Sequence, residues 1–349
     1  MAEIGIITFL HNDNYGSSLQ AYALQRVITE MGHSCEHIDY MPDRNEKIRN
    51  ILHCGNDPKL ILEGMRKRSV KAGQEAARKK SEAIPEFYAR RMKLSPRCAN
   101  HRQLAEVCKK YDILVCGSDQ IWNPVWLNTA YFLDFAREGQ RKTAYAASLG
   151  VSEMPPKRKA DMIRRLTEDF EAVSVREEAG AALMRQITGR EPDVMPDPVC
   201  LLTREEWMET AGADAADSAA DRYLLCYFIG EDPKYWEKVR ELREKTGLEV
   251  RVMPVTAESF DCGYRLTDGK TPEDFIRTLA GAEMLCTDSF HGLAFGTVFG
   301  RKTELIRRYS DDDRESKNSR VDDFLRHVNG EGLDSMRERG LRWLKEKLG

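Results

Sequence analysis

The sequence predicts an α/β protein with two parallel sheets, on three observations. Short apolar, β-branched runs alternate with helical stretches along almost all of the chain. Its 349 residues exceed what a single core usually organises. Two predominantly apolar strands, Ile113–Cys116 and Glu283–Cys286, each run straight into a polar corner, as equivalent central strands of two sheets would.

Taken in order, the strand candidates are Ile4–Thr8, Cys35–Asp39, Ile113–Cys116, Thr143–Ala147, Ala172–Val175, Tyr223–Phe228, Val250–Met253, Glu283–Cys286 and Thr303–Ile306. Helical patterns at 17–31, 157–169, 177–187, 233–245 and 271–280 separate them. The expected division is a first domain over 1–170, a second over 171–330 and a charged terminal helix over 331–349, with the change near Asp169–Ala172. A helical insert over about 45–95 is dense with Arg66, Lys67, Arg68, Lys71, Arg78, Lys79 and Lys80, interrupted by Glu63, Glu75 and Glu82. It reads as a solvated excursion, or as a basic lip attracting an anionic acceptor such as a lipid-phosphate-linked sugar, with peripheral membrane contact. The small polar tract 211–221 reads as a loop.

Composition excludes several classes. A net charge of −3, from 54 basic and 57 acidic residues, gives no drive toward nucleic acid. With 41% hydrophobic and 32% charged residues, the mean hydropathy of −0.56 is that of a soluble chain without a membrane-spanning run. The nine cysteines include no CxxC pair, so neither zinc knuckle nor redox dithiol is expected; buried thiols suit a reducing cytoplasm. No glycine-rich dinucleotide fingerprint follows a strand, so no nicotinamide or flavin cofactor is expected.

Chemistry concentrates at strand ends, where open α/β sheets bind ligands. The first corner carries Asn14, Gly16 and Ser17, which suit either ligand binding or simple capping of the next helix. The second carries Ser118, Asp119, Trp122 and Asn123. Its indole, carboxylate and amides suit an acceptor-binding sugar loop, the alternative being a rigid turn whose Trp122 plugs the core. Arg176 follows an apolar strand, and its fork matches carboxylate or phosphate. Asp197-Pro198 reads as a turn. Asp288, Ser289, Phe290, His291 and Gly292 form a strand-to-helix corner, where a titratable imidazole meets the unpaired N–H groups of a helix start.

With these segments on view (14–24 NYGSSLQAYAL, 117–123 GSDQIWN, 145–148 YAAS, 174–177 SVRE, 197–199 DPV, 287–295 TDSFHGLAF, 318–320 NSR) the chain resembles the polysaccharide pyruvyl transferase family. The resemblance implies two Rossmann-like domains facing across a cleft, a glycosyltransferase B-like arrangement. It implies an acceptor side in the first domain and a phosphoenolpyruvate side in the second. It also implies transfer of a pyruvyl group from phosphoenolpyruvate to a sugar as a ketal, with Arg176 and His291 associated with the donor and no cofactor. Ser148, in the YAAS segment, joins the expected substrate-binding residues. The alternatives are a nucleotide-sugar glycosyltransferase of the same fold, or a non-catalytic sugar- or phosphate-binding partner. Residues 289–300 hold no carboxylate of the kind that grips a nucleotide ribose, which counts against the first.

Overall fold

The computed structural model describes residues 1–59, 75–212, 222–267, 269–308 and 318–349, the side chains of 75–81 and 318–319 excepted. Arg66, Lys67, Arg68 and Lys71, the tract after Gly212, and the side chains of Arg78, Lys79, Lys80, Asn318 and Ser319 thus lie outside the described residues.

The strands are β1 (Glu3–Ile7), β2 (Ser34–His37), β3 (Ile113–Cys116), β4 (Arg141–Ala147), β5 (Ala172–Val175), β6 (Asp193–Val194), β7 (Tyr223–Tyr227), β8 (Glu249–Val252), β9 (Arg265–Leu266), β10 (Met284–Thr287) and β11 (Lys302–Leu305). They form two sheets in the orders β2-β1-β3-β4-β5-β6 and β11-β10-β7-β8-β9. Every pairing is parallel. All four residues of β3 and of β10 are buried, because helices cover both faces of each sheet.

One expectation is corrected here. The sequence placed Ala172–Val175 in the second domain, but β5 pairs with β4 through Thr143↔Ala172 and Ala144↔Val173, and β6 follows it. The first sheet therefore runs to Val194, and the change of sheet falls between Val194 and Tyr223. A four-residue apolar strand bears no mark of its neighbour; the short helical crossover between β4 and β5 decides it.

The sheets share a core. Helix Tyr15–Glu30, after β1, packs against helix Pro272–Gly281, which precedes β10. Tyr15 lies 5.4 Å from Phe275, and Trp207 lies between Tyr22 at 6.0 Å and Phe295 at 5.0 Å. Rings at such separations attract beyond their buried area, which fixes one sheet against the other. The terminal helix Leu333–Leu348 returns to the first sheet, with Trp343 against Tyr145 and its indole N–H donating to Asp193 at 2.7 Å.

Candidate functional site

The shared core brings the carboxyl ends of β1, β3 and β5 against the corner after β10. Helix Phe290–Val298 begins there, with Ser289 as N-cap accepting from Gly292 N at 3.2 Å. His291, in its first turn, is 6% exposed and lies against Gly16 of the first corner. A Cβ at Gly16 would stand 2.2–2.5 Å from the His291 ring and its Cβ, so no larger residue fits without displacing the imidazole.

Arg176 follows β5 directly and is buried. Its Nη1 donates to Asp197 Oδ2 at 2.6 Å, and its guanidinium lies 4.4 Å from the centre of the Phe290 ring. His291 Nε2 stands 3.6 Å from the same Asp197 oxygen. Asp197 thus joins the two residues that the sequence singled out. Its other oxygen accepts from Val199 N at 3.1 Å and opens the turn Pro198–Cys200. Burial opposes ionisation of Asp197, yet the His291 imidazole, the Arg176 guanidinium and the Val199 N–H outweigh it and bring its pKa down to about 2.

Several polar atoms here are buried without a hydrogen-bond partner: Arg176 Nε and Nη2, His291 Nε2, Glu177 Oε2 and Arg320 Nε. Folded proteins seldom leave such groups unmatched, so their gathering makes this point the candidate site. Asp119 and Glu177 carboxylates stand 3.9 and 3.8 Å from Arg176, beyond hydrogen-bond reach.

The other expected residues divide. Asn14 caps helix Tyr15–Glu30, accepting from Gly16 N and Ser17 N, while Ser17 donates to Asp119 Oδ2 at 2.8 Å. Asp119 holds a left-handed backbone (φ 71°) and stands at the edge of the Arg176 group. The rest of the second corner is turned inward. Ser118 donates to Ala146 O, and Asn123 accepts from Val125 N. Trp122 has no exposed surface: it stacks on Phe132 at 5.0 Å and donates to Tyr131 O, so its indole plugs the core. Ser148 is buried and donates to Glu177 Oε1 at 2.7 Å, holding Glu177 beside Arg176. Asp288 is consumed structurally, accepting from Ile229 N, Gly230 N, Tyr235 Oη and Arg308 Nε. Phe290 is the ring under Arg176, and Gly292 gives Thr287 room, since a Cβ would meet its hydroxyl at 2.6 Å.

Two residues were missed. From sequence Asp197, after Met195-Pro196 at a strand end, reads as fixing a turn, and Arg320 stands only in the NSR segment of the family resemblance. Two consecutive strand ends, with Arg176 after β5 and Asp197 after β6, each offer a charged group, and that is the signal for Asp197.

Among the described residues no group of three or more His, Cys, Asp or Glu could hold a metal ion, and no helix is long and apolar enough to cross a membrane.

Solved structures share the architecture. UDP-GlcNAc 2-epimerase from Neisseria meningitidis, bound to UDP-GlcNAc, is 11% identical with a TM-score of 0.52, covering 100% of this chain and 99% of that one. The epimerase from Methanocaldococcus jannaschii, with UDP-GlcNAc and UDP, is 13% identical with a TM-score of 0.51 and 99% coverage of both chains. That from Rickettsia bellii is 9% identical with a TM-score of 0.52, covering 99% of this chain and 94% of that one. At such identity the likeness shows the fold alone, a glycosyltransferase B-like α/β fold. No curated protein matches the chain. The family profile described as polysaccharide pyruvyl transferase matches residues 14–304, a span holding Gly16, Arg176, Asp197 and His291. The chain belongs to the polysaccharide pyruvyl transferase family and is a transferase.

Proposed function

We propose that this transferase moves the pyruvyl group of phosphoenolpyruvate onto two hydroxyls of a sugar in a cell-surface polysaccharide or its precursor, forming a ketal and releasing phosphate. The observation that carries the reading is the convergence of Arg176 and His291 on Asp197, with three of their buried nitrogens unpartnered. Family membership supports pyruvyl transfer as the reaction class.

The residues suit the chemistry. Arg176, held on one side by Asp197, keeps Nε and Nη2 for the donor's carboxylate or phosphate. His291 delivers a proton to the donor methylene, C3, leaving a cation at C2 that an acceptor hydroxyl captures. That hydroxyl's proton returns to the imidazole. Loss of phosphate regenerates a cation at C2, and the second hydroxyl closes the ketal, its proton leaving with phosphate. Asp197 steadies the imidazolium whenever His291 holds the proton. All nine cysteines are free thiols, eight of them buried, which suits the cytoplasmic location expected from sequence.

The test incubates the protein with phosphoenolpyruvate and a panel of free and lipid-linked glycans, following phosphate and acceptor mass. Acceptor-dependent phosphate release with a heavier glycan, abolished in His291→Ala, is expected. Turnover of nucleotide sugars with release of nucleoside diphosphate would sink the reading.

A further inference from the structure

Arg320 lies beyond the 14–304 span of the family profile, in the first turn of helix Asn318–Glu331. That helix packs on helix Glu178–Thr188, which begins just after Arg176. Asp323, one turn on, accepts from Ala179 N at 3.4 Å and so docks the helix start against the site. The Gln120 amide oxygen, in the orientation that satisfies both groups, accepts from Arg320 Nη2 at 2.9 Å. Arg320 Nε is buried without a partner, as are Arg176 Nε and Nη2.

Two guanidinium groups thus flank the Asp119-Gln120 pair with three nitrogens unmatched. Burial pushes the Arg320 pKa down to about 10, and the Arg176 charge pushes the same way, against weaker support from Glu177 and Asp119. Cations kept this close repel unless an anion lies between them. The nearby carboxylates fill that role only in part: Asp197 pairs with Arg176, while Asp119 and Glu177 stand 3.9 and 3.8 Å from it. Asp119 is engaged by Ser17 and the Gln120 N–H, and one oxygen of Glu177 by Ser148.

We propose that Arg320 and Arg176 form a two-guanidinium clamp whose ligand is a small molecule bearing both a carboxylate and a phosphate, one arginine for each anionic group. The clamp rests on the pyruvyl-donor reading and makes Arg320 a donor-binding residue supplied by the C-terminal helices. Arg320 reaches the site because the chain returns to the first domain's helix Glu178–Thr188 after completing the second sheet.

The test compares wild type, Arg320→Gln and Arg320→Lys by equilibrium binding of phosphoenolpyruvate, inorganic phosphate and pyruvate, beside steady-state kinetics and unliganded melting. Removing a charge-assisted hydrogen bond should weaken phosphoenolpyruvate binding roughly tenfold to a hundredfold in Arg320→Gln. KM rises accordingly, kcat changes less, and Arg320→Lys recovers part of the loss. Loss of affinity for phosphate but not pyruvate assigns Arg320 to the phosphate; the converse assigns it to the carboxylate. Equal affinity for all three probes in wild type and folded Arg320→Gln overturns the clamp and leaves the donor reading intact. If wild type binds phosphate through Arg320 but ignores phosphoenolpyruvate, the donor reading fails and the two-headed ligand with it.

Discussion

The backbone of Gly16 lies flush against the His291 side chain, so that the first corner of one sheet seats the imidazole of the other. This explains Gly16 without any contact to a ligand. Gly16→Ala must push the ring away from Asp197 or part the two sheets. Overpacking of this kind costs about 1–3 kcal/mol. The expected outcome is a folded protein with a modestly lowered melting temperature and turnover reduced at least about a hundredfold, as small displacements of a catalytic group produce. Near-normal turnover would show that His291 is not positioned from this side.

Asp197 ties Arg176 to the His291 corner, so Asp197→Asn should cost stability as well as activity. It leaves the buried Arg176 without its hydrogen-bonded carboxylate, at roughly 3 kcal/mol, the low end for breaking a buried pair. The sign of its pH dependence follows from the depressed carboxyl. Stability from Asp197 is fully present above an unfolded pKa of about 4 and is lost as pH falls through about 2, with a total of roughly 2–3 kcal/mol. Acid denaturation of Asp197→Asn should lack that component; an unchanged acid limb would contradict it.

Trp122 separates the two readings of the second corner. Trp122→Phe should lower stability by about 1–3 kcal/mol, because Tyr131 O loses its buried donor. The KM for the acceptor should stay within about twofold, since a change confined to the core leaves substrate contacts in place. A large rise in acceptor KM in the folded variant would restore the indole as a sugar-facing wall.

How far the sequence could be read follows from these residues. Arg176 and His291 stand out in the sequence because strand ends in parallel sheets are where ligands bind, and the structure brings both to Asp197. Sheet membership was not legible: Ala172–Val175 looks the same whichever neighbour it pairs with. The polar density of 117–123 misled for a different reason. A tight corner needs many hydrogen-bonding side chains to satisfy its own backbone, and Ser118 and Asn123 do that work. Arg320 was hidden by its context, one arginine among the many charges of the C-terminal helices.

His101 lies outside the site and gives a separate test of the fold. It meets Glu46 at 2.5 Å and Asp134 at 2.7 Å, joining helix Arg44–Cys54 to the turn around Asp134. Burial would lower its pKa, but the Asp134 and Glu46 carboxylates raise it above the ordinary value. A raised folded value means that this stability is complete below about pH 6.5 and fades as pH climbs through the folded pKa. Melting temperature measured from pH 6 to 9 should therefore fall more in wild type than in His101→Gln. Parallel curves would mean that the pair contributes nothing.

The central claim is that His291 protonates the donor carbon. Turnover in deuterium oxide, with the product methyl group read by mass spectrometry and NMR, tests it most directly. One solvent deuteron in each transferred pyruvyl methyl, absent along with product in His291→Ala, is the predicted result. Deuterated product formed at near wild-type rate by folded His291→Ala, or a product in which phosphate rather than pyruvyl has moved to the acceptor, would contradict it.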